Sequence, residues 1–165
     1  MWQRAASFHR YATHIKQCDY LELSADLLIG SYSSYRPSID ISGPLNPDKS
    51  LRYRLNAAYD NAGSFRDSVS SERVFVAPVV SYQINDRTDL TVDASYLYDR
   101  RSFDRGIVAF GTGVADIPID RFLGEKGDFR AANQYTIGYR VEHRFNDNLK
   151  IRNTGRFSDT AVPCQ

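Results

Sequence analysis

Hydrophobic and polar residues alternate along much of the chain. In residues 51–60, leucine, tyrosine and alanine occupy the odd positions, while arginine, asparagine and aspartate occupy most of the even ones. A period of two predicts a β-strand with one apolar and one polar face. The alternation recurs in seven segments, which are residues 21–30, 36–45, 51–60, 73–84, 89–99, 134–145 and 149–157. The sequence therefore predicts an all-β chain, folded as an antiparallel up-and-down meander of about seven long strands.

The predicted connections differ in length at the two ends of the strands. Short links rich in Asn and Asp (NPDKS, NDRT and NDN) follow the second, fourth and sixth segments. About a dozen residues join the third to the fourth segment, and more than thirty join the fifth to the sixth, although residues 32–35 make a tight link. Short turns at one end and long loops at the other are typical of outer-membrane barrels, whose strands need roughly 9–11 residues. We therefore favour part of a membrane barrel over a soluble all-β domain.

Composition excludes several other classes of protein. The net charge of +1 gives no basic excess for binding nucleic acid. The sequence contains no run of about 18 apolar residues, so no transmembrane helix is predicted. The first eighteen residues lack the apolar core of a secretory signal peptide. Cys18 and Cys164 lie far apart with no neighbouring cysteine or histidine pattern, so neither a metal site nor a cofactor is predicted.

One residue conflicts with the strand pattern. Pro78 falls on the apolar face of the fourth segment. Proline removes a donor from the hydrogen-bond ladder, so the sequence predicts a local bulge there.

Several motifs, in order, resemble one family. They are DISGPLN (Asp40–Asn46), YRLNAAY (Tyr53–Tyr59), ERVFVAPVVSY (Glu72–Tyr82), DRGIVAFGTG (Asp104–Gly113), DIPIDRFLGE (Asp116–Glu125) and EHRFNDNLKIRN (Glu142–Asn153). Together they are similar to the early barrel of TonB-dependent siderophore receptors, the ferrichrome-iron receptor type in particular. The resemblance runs from about Tyr20 to Phe157.

The resemblance implies a fold and a function. The fold would be part of a 22-stranded outer-membrane barrel that encloses an N-terminal plug. The full-length receptor would bind a ferric siderophore at its outer mouth and be driven by TonB, with no enzymatic activity. The alternative is a soluble all-β binding module, also without enzymatic activity.

The chain also departs from the family pattern. Residues 1–19 look like an atypical N-terminal segment with no plug and no TonB box, residues 20–158 like a partial barrel, and residues 159–165 like a C-terminal tail. We therefore expect a fragment of a receptor that would not transport a siderophore by itself.

The two longer predicted loops carry the candidate ligand-binding residues. In this family the long loop presents aromatic and basic side chains to the siderophore, and bulky chelates suit aromatic faces with a few hydrogen-bond donors. By position, the predicted ligand-binding residues are Arg105, Phe110, Phe103, Arg101, Phe65 and Arg66. The family's ferrichrome binders place Tyr and Trp near the DRG motif, where this chain has Val108 and Phe110. No catalytic or metal-ligating residue is predicted.

Overall fold

The computed structural model describes residues 20–125 and 127–162, which form one antiparallel sheet of seven long strands and a small hairpin. The strands are β1 (Glu22–Gly30), β2 (Ser34–Pro44), β3 (Leu51–Gly63), β4 (Ser70–Asn85), β5 (Thr88–Ser102), β6 (Ala109–Phe110), β7 (Gly113–Val114), β8 (Phe129–Arg144) and β9 (Lys150–Ala161). In the large sheet each strand pairs with its neighbour along the chain, while β6 and β7 pair with each other between β5 and β8. The predicted seven-stranded meander is confirmed. Within the described ranges, no helix is long and apolar enough to cross a membrane.

Most strands are longer than the segments that alternation predicts. β8 begins at Phe129, and β9 continues to Ala161, where it pairs with Asn133. Residues 159–161 therefore belong to a strand, and the prediction that they form a tail is wrong. The reason is that backbone ladder bonds do not require an apolar side chain, so pairing continues beyond the amphipathic part of each strand.

The register places all the apolar rows on the same face of the sheet. Across the middle of the sheet, for example, Leu55 pairs with Ile41 on one side and with Pro78 on the other, and Ala94 pairs with Ile137. We call this surface the apolar face and the opposite surface the polar face. The pairing follows from the period of two, because residues directly opposite each other in a ladder project to the same side.

The apolar face is exposed, unlike that of a soluble sheet. On the apolar face Leu23 is 69% exposed, Ile137 55% and Phe157 67%. On the polar face Val79 is 1% exposed and Glu142 6%. Soluble antiparallel sheets bury the apolar face and expose the polar one. This sheet therefore presents its hydrophobic surface outward, as a strand wall in lipid does.

The short turns are closed by asparagine side chains. The Oδ1 atoms of Asn46, Asn85 and Asn146 accept hydrogen bonds from the backbone N–H groups of Leu51, Arg87 and Leu149, at 2.8, 2.9 and 2.7 Å. Such side-chain bonds to nearby backbone stabilise tight turns. All three turns lie at the same end of the sheet, which we call the turn end, and the β1–β2, β3–β4 and long β5–β8 connections lie at the opposite loop end. The third and fourth long strands are joined by residues 64–69 alone, so the predicted loop of about a dozen residues is wrong, because β3 and β4 extend into it.

Pro78 causes no bulge. The β4–β5 register is the same on both sides of it, with Val76 opposite Tyr96 and Val79 opposite Asp93. The register shift in this pair lies instead between Gln83 and Asn85, next to the turn. The predicted bulge at Pro78 is therefore wrong, since the extended backbone accommodates the ring and only the local pairing to β5 is lost.

Candidate functional site

The three connections at the loop end contact one another in sequence. The backbone N–H of Gly63, at the end of β3, donates to the carbonyl of Tyr32 in the β1–β2 turn at 3.1 Å. The N–H of Asp67, in the β3–β4 loop, donates to the carbonyl of Asp120 in the long β5–β8 loop at 2.9 Å. These bonds join the loops into a continuous rim above the sheet.

An ion pair strengthens the contact between the two longer loops. The guanidinium of Arg66 lies 2.9 Å from the carboxylate of Asp104, and the two side chains are 12% and 27% exposed. Asp104 Oδ1 also accepts a hydrogen bond from the N–H of Gly106 at 2.9 Å. Gly106 has a φ of 77°, which glycine adopts without strain. The Asp-Arg-Gly sequence thus forms a turn that places its aspartate against the neighbouring loop.

Two of the predicted arginines stack on predicted aromatic rings. The guanidinium carbon of Arg105 lies 5.0 Å from the ring centroid of Phe103, and that of Arg66 lies 5.7 Å from the ring centroid of Phe65. Both rings remain about half exposed. Cation–π contact at such distances holds a cation over an aromatic face. The loop end therefore presents two exposed aromatic rings, with the positive charge of Arg105 beside Phe103, while the charge of Arg66 is paired with Asp104.

The other two predicted residues lie in different places. Arg101 is at the end of β5 on the polar face, where it contacts the carboxylate of Asp99. The backbone of Phe110 lies in β6, while its side chain falls outside the described part of the structure. The structure thus brings Phe65, Arg66, Phe103 and Arg105 into the linked loops, places Arg101 at the strand end beneath them, and leaves the predicted role of Phe110 as a prediction.

Sequence reasoning missed Asp104 as an ion-pair partner and one further arginine. Asp104 and Asp99 each hold a predicted arginine, and Arg130 lies directly opposite Arg101 in the β5–β8 register. The DRG motif could have indicated the role of Asp104, because an aspartate two residues before a glycine often closes a turn with its side chain. The position of Arg130 depends on the register of two strands separated by the long loop, so no local pattern reveals it.

The polar face below the loops is crossed by ion pairs. Arg54 contacts Asp40 at 2.6 Å, and Arg156 on β9 contacts Asp93 on β5 at 3.0 Å. The second pair passes over β8 at Gly138, where an added Cβ would lie 3.0 Å from an Asp93 oxygen. A glycine at this position therefore allows two strands that are not neighbours to be linked by charge.

The described residues offer no metal site. No group of three or more His, Cys, Asp or Glu side chains within residues 20–125 and 127–162 could hold an ion. A shallow cavity of about 300 Å³ lies at the turn end, between residues of the β2–β3 turn and the end of β4, away from the predicted ligand-binding residues.

Known proteins with similar sequences are receptors for metal chelates. No protein-family model matches the chain. The metal-pseudopaline receptor CntO of Pseudomonas aeruginosa is 36% identical over 124 residues, which are 74% of this chain and 18% of the receptor. The catecholate siderophore receptor Fiu of Escherichia coli is 27% identical over 151 residues, which are 82% of this chain and 20% of that receptor. The chain thus spans about a fifth of the length of these relatives.

Solved structures contain the same sheet. The open form of the ferric-catecholate import receptor Fiu from E. coli matches with a TM-score of 0.77 and 25% identity, over 87% of this chain and 24% of that one. The pyoverdine outer-membrane receptor FpvA from P. aeruginosa matches with a TM-score of 0.82 and 22% identity, over 90% of this chain and 22% of that one. At this identity the match supports a similar fold and nothing further. By sequence and by fold, this chain is similar to about a fifth of the length of these siderophore receptors.

Proposed function

We propose that the described sheet is part of the wall of an outer-membrane receptor that takes up metal–siderophore complexes. The observation that carries the proposal is the exposed apolar face, because such a surface needs apolar surroundings such as lipid, while the charged residues of the opposite face suit a wet interior. The named relatives support the class of ligand, since their names give metal-pseudopaline and catecholate siderophores as what they bind. The same proposal has three further parts. Residues 20–158 form part of the barrel, the complete barrel closes with 22 strands, and the full-length receptor acts with TonB.

The ligand would bind at the loop end. Phe65 and Phe103 offer exposed ring faces, and Arg66, Arg105 and Arg101 supply donors beside or below them. Apolar surface with a few oriented polar groups is the usual character of a small-molecule site. Phe110 is included in the proposed site by its position in the β6–β7 hairpin. The site carries out binding and no chemistry.

A chimeric receptor tests this function. Residues 20–162 would replace the matching segment of CntO, and outer-membrane assembly and iron uptake would be measured in iron-limited cells. We expect assembly into the outer membrane and uptake of at least one ferric siderophore. Uptake would be compared for metal-pseudopaline, a ferric catecholate and ferrichrome. Ferrichrome is included because the sequence motifs resemble the ferrichrome-iron receptor type in particular.

A loop deletion provides the matched control. Replacing residues 103–128 of the chimera by a short glycine linker leaves the seven long strands intact. This variant should assemble as well as the parent chimera and lose uptake. Failure of the parent chimera to reach the outer membrane would contradict the wall assignment, and uptake that survives the deletion would contradict the ligand site.

The soluble binding module is the competing function. It would require the apolar face to be covered by other parts of the same soluble protein. The exposure of Leu23, Ile137 and Phe157 weighs against it for the described residues. Purification of the chain as a soluble monomer without detergent would favour it.

A further inference from the structure

Two arginines lie opposite each other at the loop end of the sheet, next to the end of β5 and the start of β8. Arg101 and Arg130 are direct partners in the antiparallel register and lie on the same face as Asp99. Like charges directly opposite each other destabilise a strand pair. The arrangement therefore costs stability as it stands, unless a negative group lies between the two cations.

The acids nearby do not neutralise this pair. Asp99 contacts Arg101 and also lies 3.4 Å from Arg73, so it serves two cations at once. Arg130 is exposed and forms no ion pair with another described residue. On its other side the pairing of β8 with β9 reaches only as far as Asn133, so the described part of β9 does not cover Arg130.

The position of the pair connects the loop rim to the polar face. Arg101 and Arg130 lie one residue inside the two strand ends that flank the long loop, whose residues 103–128 include the stacked Phe103 and Arg105. A ligand held by the loops that extends onto the polar face along β5 and β8 would lie next to this pair. Guanidinium groups bind carboxylate and related anionic oxygens through two parallel hydrogen bonds.

We propose that Arg101 and Arg130 form a paired anion-binding site at the mouth of the sheet, and that the receptor takes metal–siderophore complexes with net negative charge. The inference rests on the proposed function and deepens it by naming the charge class of the ligand. Arg130 acts as a specificity-determining residue, because it adds a second cation that a neutral chelate does not need.

The test compares an anionic with a neutral chelate. The full 165-residue chain, folded in detergent micelles, would be titrated calorimetrically with iron(III) tris-catecholate, which is anionic, and with a neutral ferric hydroxamate. For Arg130→Gln we expect affinity for the catecholate complex to fall about tenfold, the order of one charge-assisted hydrogen bond. Affinity for the hydroxamate complex should stay within about twofold by the same reasoning.

Two further variants separate charge at this site from other effects. Arg130→Lys keeps the charge and should recover part of the lost affinity. Arg140→Gln removes the same charge from the same strand and face, about 33 Å away at roughly 3.3 Å per residue, and should leave both affinities unchanged. Far-UV circular dichroism would check that each variant keeps its sheet.

The outcomes distinguish this inference from the proposed function. Binding of both chelates with no selective loss in Arg130→Gln, or an equal loss in Arg140→Gln, would overturn the inference alone. Binding of neither chelate to the unaltered chain would overturn both the anion site and the proposed ligand site. Assembly of the chimera would still test the wall independently.

Discussion

Replacing Glu142 by glutamine removes the negative charge on which the polar face of β8 and β9 depends. Glu142 has a side chain only 8% exposed, and its carboxylate accepts two hydrogen bonds from Arg152, at 2.9 and 2.8 Å. Its other oxygen lies 3.2 Å from the ammonium of Lys150. Arg144 lies directly opposite Lys150 on the same face. Glutamine keeps the shape of the side chain but leaves these cations without their anion.

The expected cost is about 2 kcal/mol. Hydrogen bonds to charged groups contribute roughly 1.5–3 kcal/mol each, and breaking a fully buried ion pair costs about 3–5 kcal/mol. Arg152 and Lys150 are about half exposed, so water screens the cations and the lower part of the range applies. With a urea dependence of about 1–3 kcal/mol per molar, the unfolding midpoint should fall by about 1 M.

Urea unfolding in detergent micelles, followed by far-UV circular dichroism, measures this cost. Asp147→Asn, in the exposed β8–β9 turn, removes the same charge and should change the free energy of unfolding by less than about 0.5 kcal/mol. Raising the salt concentration should recover part of the loss in Glu142→Gln, because salt screens the remaining repulsion between cations. Equal stabilities for Glu142→Gln and the unaltered chain would refute the reasoning.

Two further substitutions test the rim at the loop end. Gly63→Ala should destabilise the β1–β2 turn by about 1–3 kcal/mol, because the new Cβ would lie 2.5 Å from the backbone oxygen of Tyr32. The control in the same urea assay is Gly113→Ala, because a Cβ at Gly113 would have no atom within 4 Å. An unfolding midpoint equal to that of the control would contradict the close approach. Asp104→Asn should break the ion pair to Arg66 and speed cleavage of the long loop by trypsin severalfold, whereas an unchanged cleavage rate would show that the pair does not hold the loops together.

The strands, their order and the long connection between β5 and β8 could be predicted from the sequence. The period of two survives in each segment because one face meets apolar surroundings and the other does not. The short turns are visible because asparagine closes them through its own side chain, as Asn46, Asn85 and Asn146 do. These are local properties, and one segment of chain suffices to reveal them.

The identity of the paired residues depends on contacts between distant parts of the chain. The Asp93–Arg156 ion pair requires β5, β8 and β9 to align so that Gly138 lies between the two side chains. The pairing of Arg101 with Arg130 requires the β5–β8 register. Alternation predicts which face each residue joins, but it does not predict which residue of another strand lies opposite.

The central claim is that the apolar face lies in lipid and the polar face in water. Ile137 and Thr136 are adjacent in the middle of β8, with Ile137 on the apolar face and Thr136 on the polar face, where it bonds Ser158 at 3.1 Å. An arginine on the lipid face near the bilayer midplane lowers folding stability by about 2–4 kcal/mol. A substitution on the surface of a soluble protein usually changes the stability by less than about 0.5 kcal/mol.

The most direct test is outer-membrane assembly of the chimera carrying each arginine substitution. We expect Ile137→Arg to lower the amount of folded receptor in the outer membrane sharply, and Thr136→Arg to leave most of it assembled. Equal assembly of the two variants, or a larger loss in Thr136→Arg, would contradict the assignment of the two faces.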